Sequence, residues 1–437
     1  METKSKLIQG SYSRAILAGV GLDGQTESEL RAELEELGLL ARAAGVQVLD
    51  TICQRRERID SGYCMGRGKV ERLAARAREL VARLIIFDND LSPAQVRNLE
   101  RLTDCRVIDR SEVILEIFAR RARTRQARMQ VELAQLEYLR PRLRRMWTHL
   151  ERYEGGIGMR GPGEKQLELD RRLIDRRILD LRGALARVAQ QRARERHGRQ
   201  SAFRVALIGY TNAGKTTLLN RLTGAGAYAA DELFATLDTR TRRWPLPSLR
   251  EVVISDTIGF VRKLPHHLIA SFHATLGEVI EADLLLHVVD ASSARAVEQA
   301  AAVAQVIQQV GADSVSRVHL LNKVDLVTDA LELTELRAAL PGALEISART
   351  GRGLAAVAQI VTAAADEGAL ECEVIIAVDH GQALAFVRDR AQVLARRAEG
   401  PRVRLRVRIL ETDLRRLESL GAVCGDEGDS RSGPGWE

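Results

Sequence analysis

Cysteine, proline and long apolar runs are all scarce in this chain of 437 residues. Its five cysteines form no C-x-x-C pair, so neither a disulfide framework nor a cysteine-based zinc site is expected. Nine prolines and little low-complexity sequence leave little room for long disordered linkers, apart from a polar tail over residues 425–437. No apolar run approaches the roughly 20 residues that cross a bilayer, and the N-terminus lacks a signal-peptide pattern. We therefore expect a cytosolic, monomeric protein without a membrane span.

Length and charge are the first positive features. A chain of this length is too long for one ordinary core and predicts about two to four domains. The formal net charge of +7 is unevenly distributed, because residues 120–199 contain 22 Lys and Arg against 10 Asp and Glu. Arg dominates there, and its planar guanidinium suits phosphate contacts. This segment is either a nucleic-acid-binding element or a solvated helix surface.

A glycine-rich stretch follows the apolar run 203–208 and precedes a helix pattern. It fits G-x-x-x-x-G-K-[ST], in which backbone N–H groups converge on phosphate oxygens at a positive helix terminus. Lys215 should neutralise the β- and γ-phosphates, and Thr216 should hold Mg²⁺. The candidate phosphate-binding residues are Gly209, Tyr210, Thr211, Asn212, Ala213, Gly214, Lys215, Thr216 and Thr217.

A second motif ends the apolar run 252–255 and has the form D-x-x-G. An acid at this strand end, Asp256, can reach the shell of a bound Mg²⁺. The amide of Gly259 can approach a γ-phosphate because no Cβ intervenes. The candidate residues are Asp256, Thr257, Ile258 and Gly259.

Two further strand ends carry residues that suit recognition of a base. The Asp325 carboxylate can accept hydrogen bonds from N1–H and N2–H₂ of guanine, a pairing that adenine cannot offer. The backbone of Ser347 and Ala348 can donate to O6 of the same base. The candidate residues are Asn322, Lys323, Asp325, Ser347, Ala348 and Arg349. Four motifs in this order, each at a strand end, resemble the GTPase branch of the P-loop NTPases, which implies GTP and GDP as ligands and Mg²⁺ as cofactor.

Strand and helix patterns alternate over residues 14–110 and predict a small parallel α/β domain. We expect strands at 14–20, 46–49, 84–87 and 105–108, and helices at 27–44, 70–81 and 93–102. Gly19, Gly21 and Gly24 fit a dinucleotide-binding G-x-G-x-x-G, although a tight turn explains them adequately. Gly66 and Gly68 followed by Lys69 fit either an RNA-facing phosphate site or a structural turn.

A long helical region follows. The pattern predicts one helix from Ser111, as N-cap, to about residue 150, with a kink at Pro141. A second helix is expected over residues 164–197. Apolar residues at alternating spacings of four and three predict that the two helices form an antiparallel hairpin with a shared seam. The seam residues include Met129, Leu133, Leu136, Ile174, Ile178, Leu181 and Leu185.

The hairpin loop, residues 155–164, contains five glycines and one proline. A connector between antiparallel helices needs only about two to five residues. The excess of glycine fits either a loop that lies closely against another backbone, RNA being favoured by the surrounding charge, or a merely flexible turn.

This loop, the sequence that follows it and the downstream P-loop resemble the HflX family of ribosome-associated GTPases, over roughly residues 14–420. The resemblance implies that the α/β domain and the arm bind the large ribosomal subunit. It places the arm tip near the peptidyl transferase centre and implies that the protein can split stalled or idle ribosomes. It also implies that Thr236 closes on Mg²⁺ and the γ-phosphate, acting with Lys215 and Gly259 in catalysis and with Thr216 and Asp256 as metal ligands. The tip residues implied to contact rRNA are Gly155, Gly156, Gly158, Arg160, Gly161 and Gly163.

Phe260 stands where many GTPases carry the glutamine that orients the attacking water. A phenylalanine side chain cannot orient water. Another group of the protein or of the ribosome must therefore do so, or hydrolysis without a partner is slow.

The C-terminal region predicts a strand over residues 374–378, a helix over 382–397, an alternating strand from 403 to 409 and a short helix. The predicted fold class is α/β and multidomain. The expected divisions are an N-terminal α/β domain (1–110), a helical arm (111–200), a GTPase domain (201–367), a small α+β domain (368–424) and a disordered tail (425–437).

Three functions remain open at this point. The first is a GTPase that dissociates or rescues ribosomes in its GTP-bound state, with hydrolysis resetting it. The second is a GTP-gated rRNA-binding or ribosome assembly factor without splitting activity. The third, an NAD(P)-linked enzyme, depends only on the N-terminal glycines.

Overall fold

The computed structural model describes residues 13–142, 162–197, 202–224, 234, 240–263 and 277–425. Its strands form three sheets, of four, six and four strands in chain order. The first sheet is parallel, the second is parallel except at one edge, and the third is antiparallel. The predicted fold class is thereby confirmed. Within these residues, no helix is both long and apolar enough to cross a membrane.

The first sheet and its crossover helices occupy residues 14–109. The elements are β1 (Arg14–Leu22), α1 (Glu27–Ala43), β2 (Gln47–Arg56), α2 (Arg67–Glu79), β3 (Leu84–Phe87), α3 (Pro93–Thr103) and β4 (Arg106–Asp109). The strand order is β2-β1-β3-β4. α1 begins at a capping box formed by its N-cap residue Thr26, and α3 begins at one formed by Ser92. The strand predicted to end at residue 49 continues to Arg56, because its whole length pairs with β1.

Gly19 and Gly21 lie inside β1, not in a phosphate-binding turn. A Cβ on Gly19 would lie 2.9 Å from Leu34 Cδ2, and a Cβ on Gly21 would lie 3.0 Å from Leu30 Cδ2. These glycines therefore let α1 pack closely on β1. Gly24, with φ +89°, lies in the turn itself. The three glycines therefore do not form the phosphate-binding turn that a dinucleotide site would require.

The backbone amides of the turn before α2 are hydrogen-bonded to side chains of the protein itself. The N–H groups of Gly62 and Tyr63 both donate to Asp60 Oδ1 at 2.9 Å, and that of Gly66 donates to Gln54 Oε1 at 2.8 Å. Amides bonded in this way are not directed at an external phosphate. Of the two interpretations of this turn, the structure favours the structural one.

The predicted single helix from residue 111 to residue 150 is wrong. The chain forms α4 (Arg110–Arg121) and α5 (Arg125–Leu139), separated by Ala122, which is extended. Asp109, not Ser111, caps α4, and the Thr124 hydroxyl caps α5 by accepting from the Ala127 amide at 3.1 Å. The sequence signal for this break between the two helices was Thr124, since threonine is favoured at a helix N-cap over a helix interior.

α5 ends at Leu139, two residues before Pro141. The residues just after 142, on which the predicted kink depends, lie outside the described part of the chain. The second helix, α6 (Pro162–His197), begins two residues before the predicted start at 164. Residues 143–161, which hold the tip-loop candidates from Gly155 to Gly161, lie outside the described residues. Gly163 lies in the first turn of α6.

The predicted seam between α5 and α6 is confirmed. Leu133, Ile178, Leu181 and Leu185 are buried there, with Met129, Leu136 and Ile174 packed against them. Three arginines outside this seam are ion-paired across the hairpin, which neutralises part of its positive charge. The pairs are Arg177–Glu132 at 2.7 Å, Arg182–Glu137 at 2.7 Å and Arg140–Asp175 at 2.8 Å.

The second sheet has the strand order β10-β9-β8-β5-β7-β6, with only β6 antiparallel to its neighbour. Its elements are β5 (Ala202–Gly209), α7 (Lys215–Thr223), β6 (Arg240–Trp244), β7 (Glu251–Asp256), α8 (Gly277–Ile280), β8 (Leu284–Asp290), α9 (Ala296–Gln309), β9 (Arg317–Asn322), α10 (Ala330–Ala339), β10 (Leu344–Glu345) and α11 (Leu354–Ala365). Because the parallel strands share a direction, their carboxyl ends meet at one edge, where open α/β sheets bind ligands. All four predicted motifs follow strands of this sheet.

In the region of the third sheet, the predicted helix over residues 382–397 was too long. Its elements are β11 (Ala369–Ala377), α12 (Gly381–Arg390), β12 (Ala391–Glu399), β13 (Arg402–Leu410), α13 (Glu411–Ser419) and β14 (Val423–Gly425). The helix predicted over 382–397 stops at Arg390, and the next nine residues pair with β13. Ala, Leu and Arg favour a helix locally, but the ladder with β13 decided the conformation. Gly425, assigned to the tail, belongs to β14, and residues 426–437 lie outside the described residues.

Candidate functional site

The glycine loop after β5 adopts backbone conformations that its glycines make possible. Gly209 has φ +152° and Gly214 has φ +94°. A Cβ on Gly209 would collide with the Val288 carbonyl oxygen, and one on Gly214 with Asn322 Nδ2. Gly214 is also the N-cap of α7, so the loop delivers its amides to a helix N-terminus. The sequence thus folds here into the phosphate-binding shape that the motif predicted.

Lys215 lies at the centre of this loop. Its ammonium donates to the carbonyl oxygens of Gly209 at 3.1 Å and Tyr210 at 2.8 Å. Burial lowers the pKa of Lys215 to about 8, although Asp256 acts in the opposite direction. A buried cation between backbone amides and an acid is suited to neutralising phosphate oxygens.

Thr216 and Asp256 bring two oxygens together at the other side of the loop. The Thr216 hydroxyl donates to Asp256 Oδ2 at 2.7 Å, and Asp256 is fully buried at the end of β7. A hydroxyl and a carboxylate are hard oxygen donors of the kind Mg²⁺ takes beside substrate phosphates. Elsewhere in the described chain, no cluster of three or more His, Cys, Asp or Glu could hold a metal ion. The pair fits Mg²⁺.

The residues after Asp256 are hydrogen-bonded to the P-loop. The Phe260 amide donates to the Gly209 carbonyl at 3.1 Å, and the Thr211 amide donates to the Phe260 carbonyl at 2.8 Å. A Cβ on Gly259 would lie 2.8 Å from Thr211 Cγ2 and 3.0 Å from Lys215 Nζ. A side chain at position 259 would therefore press against the P-loop and the ammonium of Lys215, so a glycine is required there. The Phe260 ring is buried, which agrees with its inability to position water.

Asn322 joins the P-loop to the loop after β10. Its amide nitrogen donates to the Ala213 carbonyl at 2.8 Å, and its amide oxygen accepts from the Ala348 amide at 2.9 Å. Asn322 is almost wholly buried, so both of its contacts are made away from water. The third and fourth motifs are thereby held in a fixed position relative to the first.

Lys323 has a partner that the sequence analysis missed. With φ +64°, it directs its ammonium to Asp290 Oδ2 at 2.6 Å. Asp290 is the last residue of β8, and an acid at the end of a buried strand was a signal available in the sequence. The ion pair fixes the aliphatic part of Lys323 beside the predicted base site.

Asp325, the predicted guanine reader, is ion-paired with Arg349 at 2.6 Å. The Ser347 hydroxyl and then Arg349 hold the pKa of Asp325 below its usual range. The carboxylate is therefore ionised at neutral pH and can accept only. Arg349 is mostly exposed, so its guanidinium can move aside for a base that offers two N–H donors.

The other predicted site residues are less directly engaged, or lie outside the described chain. Thr217 lies in the first turn of α7, Thr257 donates from its hydroxyl to the Leu207 carbonyl at 2.6 Å, and Ile258 is buried. Thr236 lies outside the described residues, as do the rRNA candidates other than Gly163. The structure brings the remaining candidates of the four motifs to one edge of the second sheet.

Charged residues that the sequence analysis did not single out join this edge to the first sheet. The Tyr210 hydroxyl donates to Glu36 Oε2 at 2.7 Å and accepts from the Arg262 amide at 2.8 Å. Lys263 binds Glu33 at 2.7 Å and Asp88 at 2.8 Å. Arg262 and Lys263 come two and three residues after Phe260 of the D-x-x-G-F stretch, and only the tertiary structure reveals their partners.

Arg110 lies in the middle of this charged network. It is ion-paired with Asp88 at 2.8 Å and with Glu36, and it donates to the Arg262 carbonyl at 3.1 Å. Burial opposes ionisation of Asp88, yet Arg110 and Lys263 together hold its pKa below the usual value. The network therefore consists of charged groups paired with one another, as buried charges must be.

A P-loop, an acid at the Mg²⁺ position, a glycine against the γ-phosphate position and an N-K-x-D strand end on one sheet edge define a GTPase of the P-loop class. Three family models match consecutive stretches of the chain. They are described as GTP-binding GTPase N-terminal (residues 31–119), GTP-binding GTPase Middle Region (121–199) and 50S ribosome-binding GTPase (204–323).

Two relatives, both named GTPase HflX, agree with these matches. GTPase HflX of Escherichia coli is 46% identical over 343 residues, which cover 77% of this chain and 80% of that protein. GTPase HflX of Alkalihalophilus pseudofirmus is 41% identical over 387 residues, which cover 88% and 90%. A solved GTP-binding protein of Sulfolobus solfataricus in complex with GDP is 21% identical, covers 80% of this chain and 98% of that chain, and has a TM-score of 0.40. The chain belongs to the HflX family of GTPases.

Proposed function

We propose that this GTPase works in the cytoplasm on ribosomes, binding the large subunit and, in its GTP-bound state, dissociating stalled or idle ribosomes. GTP hydrolysis then resets it. The observation that carries the proposal is the helical arm, a basic hairpin in the same chain as a guanine-nucleotide site. Its second helix, α6, has 36 residues and so extends about 54 Å at 1.5 Å per residue.

The exposure of the arm supports contact with RNA. Within the part of the chain that the structure describes, Arg172 is ion-paired to Glu168 of its own helix, and the side chain of Arg172 is 76% exposed. Exposed pairs of this kind contribute little and exchange readily for phosphate oxygens. The match of residues 204–323 to a model described as 50S ribosome-binding GTPase points to the same partner. The tip residues 155–163 are proposed to reach rRNA near the peptidyl transferase centre.

The chemistry proposed for the site follows from its geometry. Lys215 and the P-loop amides bind the β- and γ-phosphates, and Asp325 selects guanine. Thr216, Asp256 and Thr236 would hold Mg²⁺, which supplies charge neutralisation on the phosphates. The amide of Gly259 can meet the γ-phosphate, so the bound nucleotide can change the position of residues 260–263. Lys263 binds Glu33 of α1. The Arg262 amide donates to Tyr210, whose hydroxyl donates to Glu36 of the same helix.

The test is sedimentation of intact ribosomes with the purified protein and a non-hydrolysable GTP analogue. We expect conversion to separate subunits with the analogue and little conversion with GDP. Lys215→Ala is the nucleotide control, since it removes the cation at the phosphates. Binding to large subunits without conversion would instead favour the second candidate, a GTP-gated rRNA-binding or assembly factor.

A second variant separates the arm from the nucleotide site. Replacing residues 155–163 with a short Gly-Ser turn should leave GTP affinity unchanged, because these residues lead into the start of α6, whereas the nucleotide site follows the other end of that helix. Splitting should fail, because a shortened tip cannot reach its RNA. Splitting at the wild-type rate would show that the tip is only a connector.

A further inference from the structure

The third sheet and its two helices have a recognisable topology. The element order β11-α12-β12-β13-α13-β14 with the strand order β12-β13-β11-β14 is the split β-α-β arrangement of ferredoxin-like domains, which is also that of RNA-recognition sheets. One face packs against the helices through buried residues of the central strands. These are Val374, Ile376, Leu405, Val407 and Ile409. The opposite face carries the alternate residues.

The opposite face carries a row of arginines. On β13, four arginines occupy the alternate positions Arg402, Arg404, Arg406 and Arg408. The register places Arg397 of β12 directly opposite Arg404. Like charges in directly opposed positions destabilise an antiparallel pair. Glutamates occupy the directly opposed positions of the other three arginines of β13, with Glu399 opposite Arg402, Glu373 opposite Arg406 and Glu371 opposite Arg408. At these positions the face therefore holds five arginines and three glutamates.

Carboxylates neutralise only part of this row. Arg404 is paired with Glu399 at 3.0 Å and Glu373 at 3.2 Å. Arg406 contacts Glu371 at 3.5 Å, and Arg408 contacts the buried Asp366 at 3.8 Å. Among the described residues, Arg397 and Arg402 have no ion-pair partner, and both are exposed. Exposed pairs such as Arg406–Glu371 contribute little, so their guanidinium groups can exchange partners.

The chemistry of this face indicates its partner. Alternate residues of a strand are about 6.6–6.8 Å apart, close to the spacing of successive phosphates along a nucleic-acid strand. Guanidinium groups bind phosphate oxygens bidentately. RNA-recognition sheets add aromatic side chains on their two central strands to stack bases, and this face has none at positions 371–377 or 402–408. A protein partner would require several apolar or aromatic anchors. Among the described residues of β11, β13 and β14, this face offers Ile375, half-buried, and the exposed Val423 directly opposite it, against a row of arginines.

We propose that the arginine face of the third sheet, formed by Arg397, Arg402, Arg404, Arg406 and Arg408, binds the sugar-phosphate backbone of RNA without reading its sequence. This contact is separate from the arm and from the nucleotide site. It rests on the proposed function only for the identification of the RNA as ribosomal.

The experiment compares two double variants of the full chain. The sheet variant is Arg402→Ala with Arg406→Ala. The matched control, Arg388→Ala with Arg415→Ala, removes the same charge from exposed positions on α12 and α13, where both side chains are more than 70% exposed. Binding to an RNA duplex of unrelated sequence and to isolated large ribosomal subunits is measured over a range of salt concentrations. Thermal unfolding and GTP affinity establish that both variants are folded.

We expect the sheet variant to bind the RNA duplex roughly tenfold more weakly at low salt, and the slope of log affinity against log salt to fall by about 2. The control should bind as wild type does. Arg402→Lys with Arg406→Lys keeps the charge and should retain the slope. Equal affinities and slopes in the sheet variant and the control overturn the proposal, as does a lysine variant as weak as the alanine variant.

The two probes distinguish this proposal from the proposed function. If wild type binds the duplex through the arginine face but fails to bind large subunits, the proposed function fails and the RNA-binding face stands. If the sheet variant binds subunits more weakly while its affinity for the duplex is unchanged, the face contacts a ribosomal protein, and the proposal is overturned.

Discussion

The hydroxyl of Tyr210 donates a 2.7 Å hydrogen bond to Glu36 Oε2, which connects the phosphate-binding loop directly to α1 of the first sheet. The same hydroxyl accepts from the Arg262 amide, just after the D-x-x-G motif. One phenol of the P-loop thus contacts both the segment that follows the D-x-x-G motif and helix α1 of the N-terminal domain. This arrangement connects nucleotide chemistry to the rest of the molecule.

Tyr210→Phe should loosen this connection without changing the shape of the P-loop. Glu36 keeps Arg110 as a partner, whereas the Arg262 amide loses its acceptor. We expect a loss of about 1 kcal/mol in the free energy of unfolding, the cost of leaving a partly buried donor unmet. Denaturant titration measures it, and an unchanged midpoint would contradict the contact.

Lys263→Met should destabilise the interface between the two sheets. Asp88 and Glu33 are nearly buried and would lose a cation, while Lys263 itself is half-exposed. We expect a loss of about 1–3 kcal/mol, less than for a fully buried pair because water screens Lys263. Arg31→Met is the control, since Arg31 and Glu27 are both mostly exposed and should change stability by no more than about 0.5 kcal/mol. Equal losses in the two variants would show that the pairs of Lys263 are no stronger than a surface pair.

Asp325→Asn should weaken GTP binding about 10- to 150-fold, the value of one buried hydrogen bond to a charged group. The amide can donate to the 2-oxo group of xanthine, so binding should shift toward xanthosine triphosphate. Competition binding with the two nucleotides measures the shift. Arg349→Ala provides the complementary variant, and it should bind GTP at least as tightly as wild type because Arg349 no longer competes for the carboxylate. Equal preferences in wild type and Asp325→Asn would remove Asp325 from base recognition.

Nucleotide affinity should fall with pH above about 8. The pKa of Lys215 is lowered to about 8 by burial, and phosphate oxygens favour the protonated form, so the pKa must rise when nucleotide binds. Above pH 8, binding therefore takes up a proton, and affinity should fall about tenfold per pH unit until the pKa of the complex is reached. Calorimetry at pH 9 in two buffers of different ionisation enthalpy measures this uptake. Constant affinity from pH 7.5 to 9.5 would be inconsistent with a neutral Lys215 in the free protein.

Hydrolysis by the isolated protein should be slow and should accelerate on ribosomes. Phe260 is buried and bonded through its backbone to the P-loop, so it cannot orient the attacking water. Single-turnover rates with and without large subunits decide the matter. A fast basal rate that subunits leave unchanged would show that a group within the chain already positions the water.

Local sequence was sufficient to predict those parts of the site in which the chemistry or the backbone conformation allows few residue types. Gly209 and Gly214 need conformations that other residues rarely adopt, and Asp256 and Asn322 end strands that share one direction. The four motifs could therefore be identified, and assigned to one sheet edge, from the order of residues alone. The seam from Met129 to Leu185 was equally accessible, because helical periodicity is a local property.

Only the tertiary structure decided the remaining features. Residues 391–399 have helix-favouring composition but form β12, because pairing with β13 satisfies their backbone groups in the sheet. Tyr210 meets Glu36 across 174 positions of sequence, and Lys263 meets Asp88 across 175. Contacts between residues so far apart leave no periodic trace in the chain, since their geometry is fixed by how whole sheets and helices pack. The arginine face likewise exists only because alternate residues of β13 point away from the helices that cover the other side.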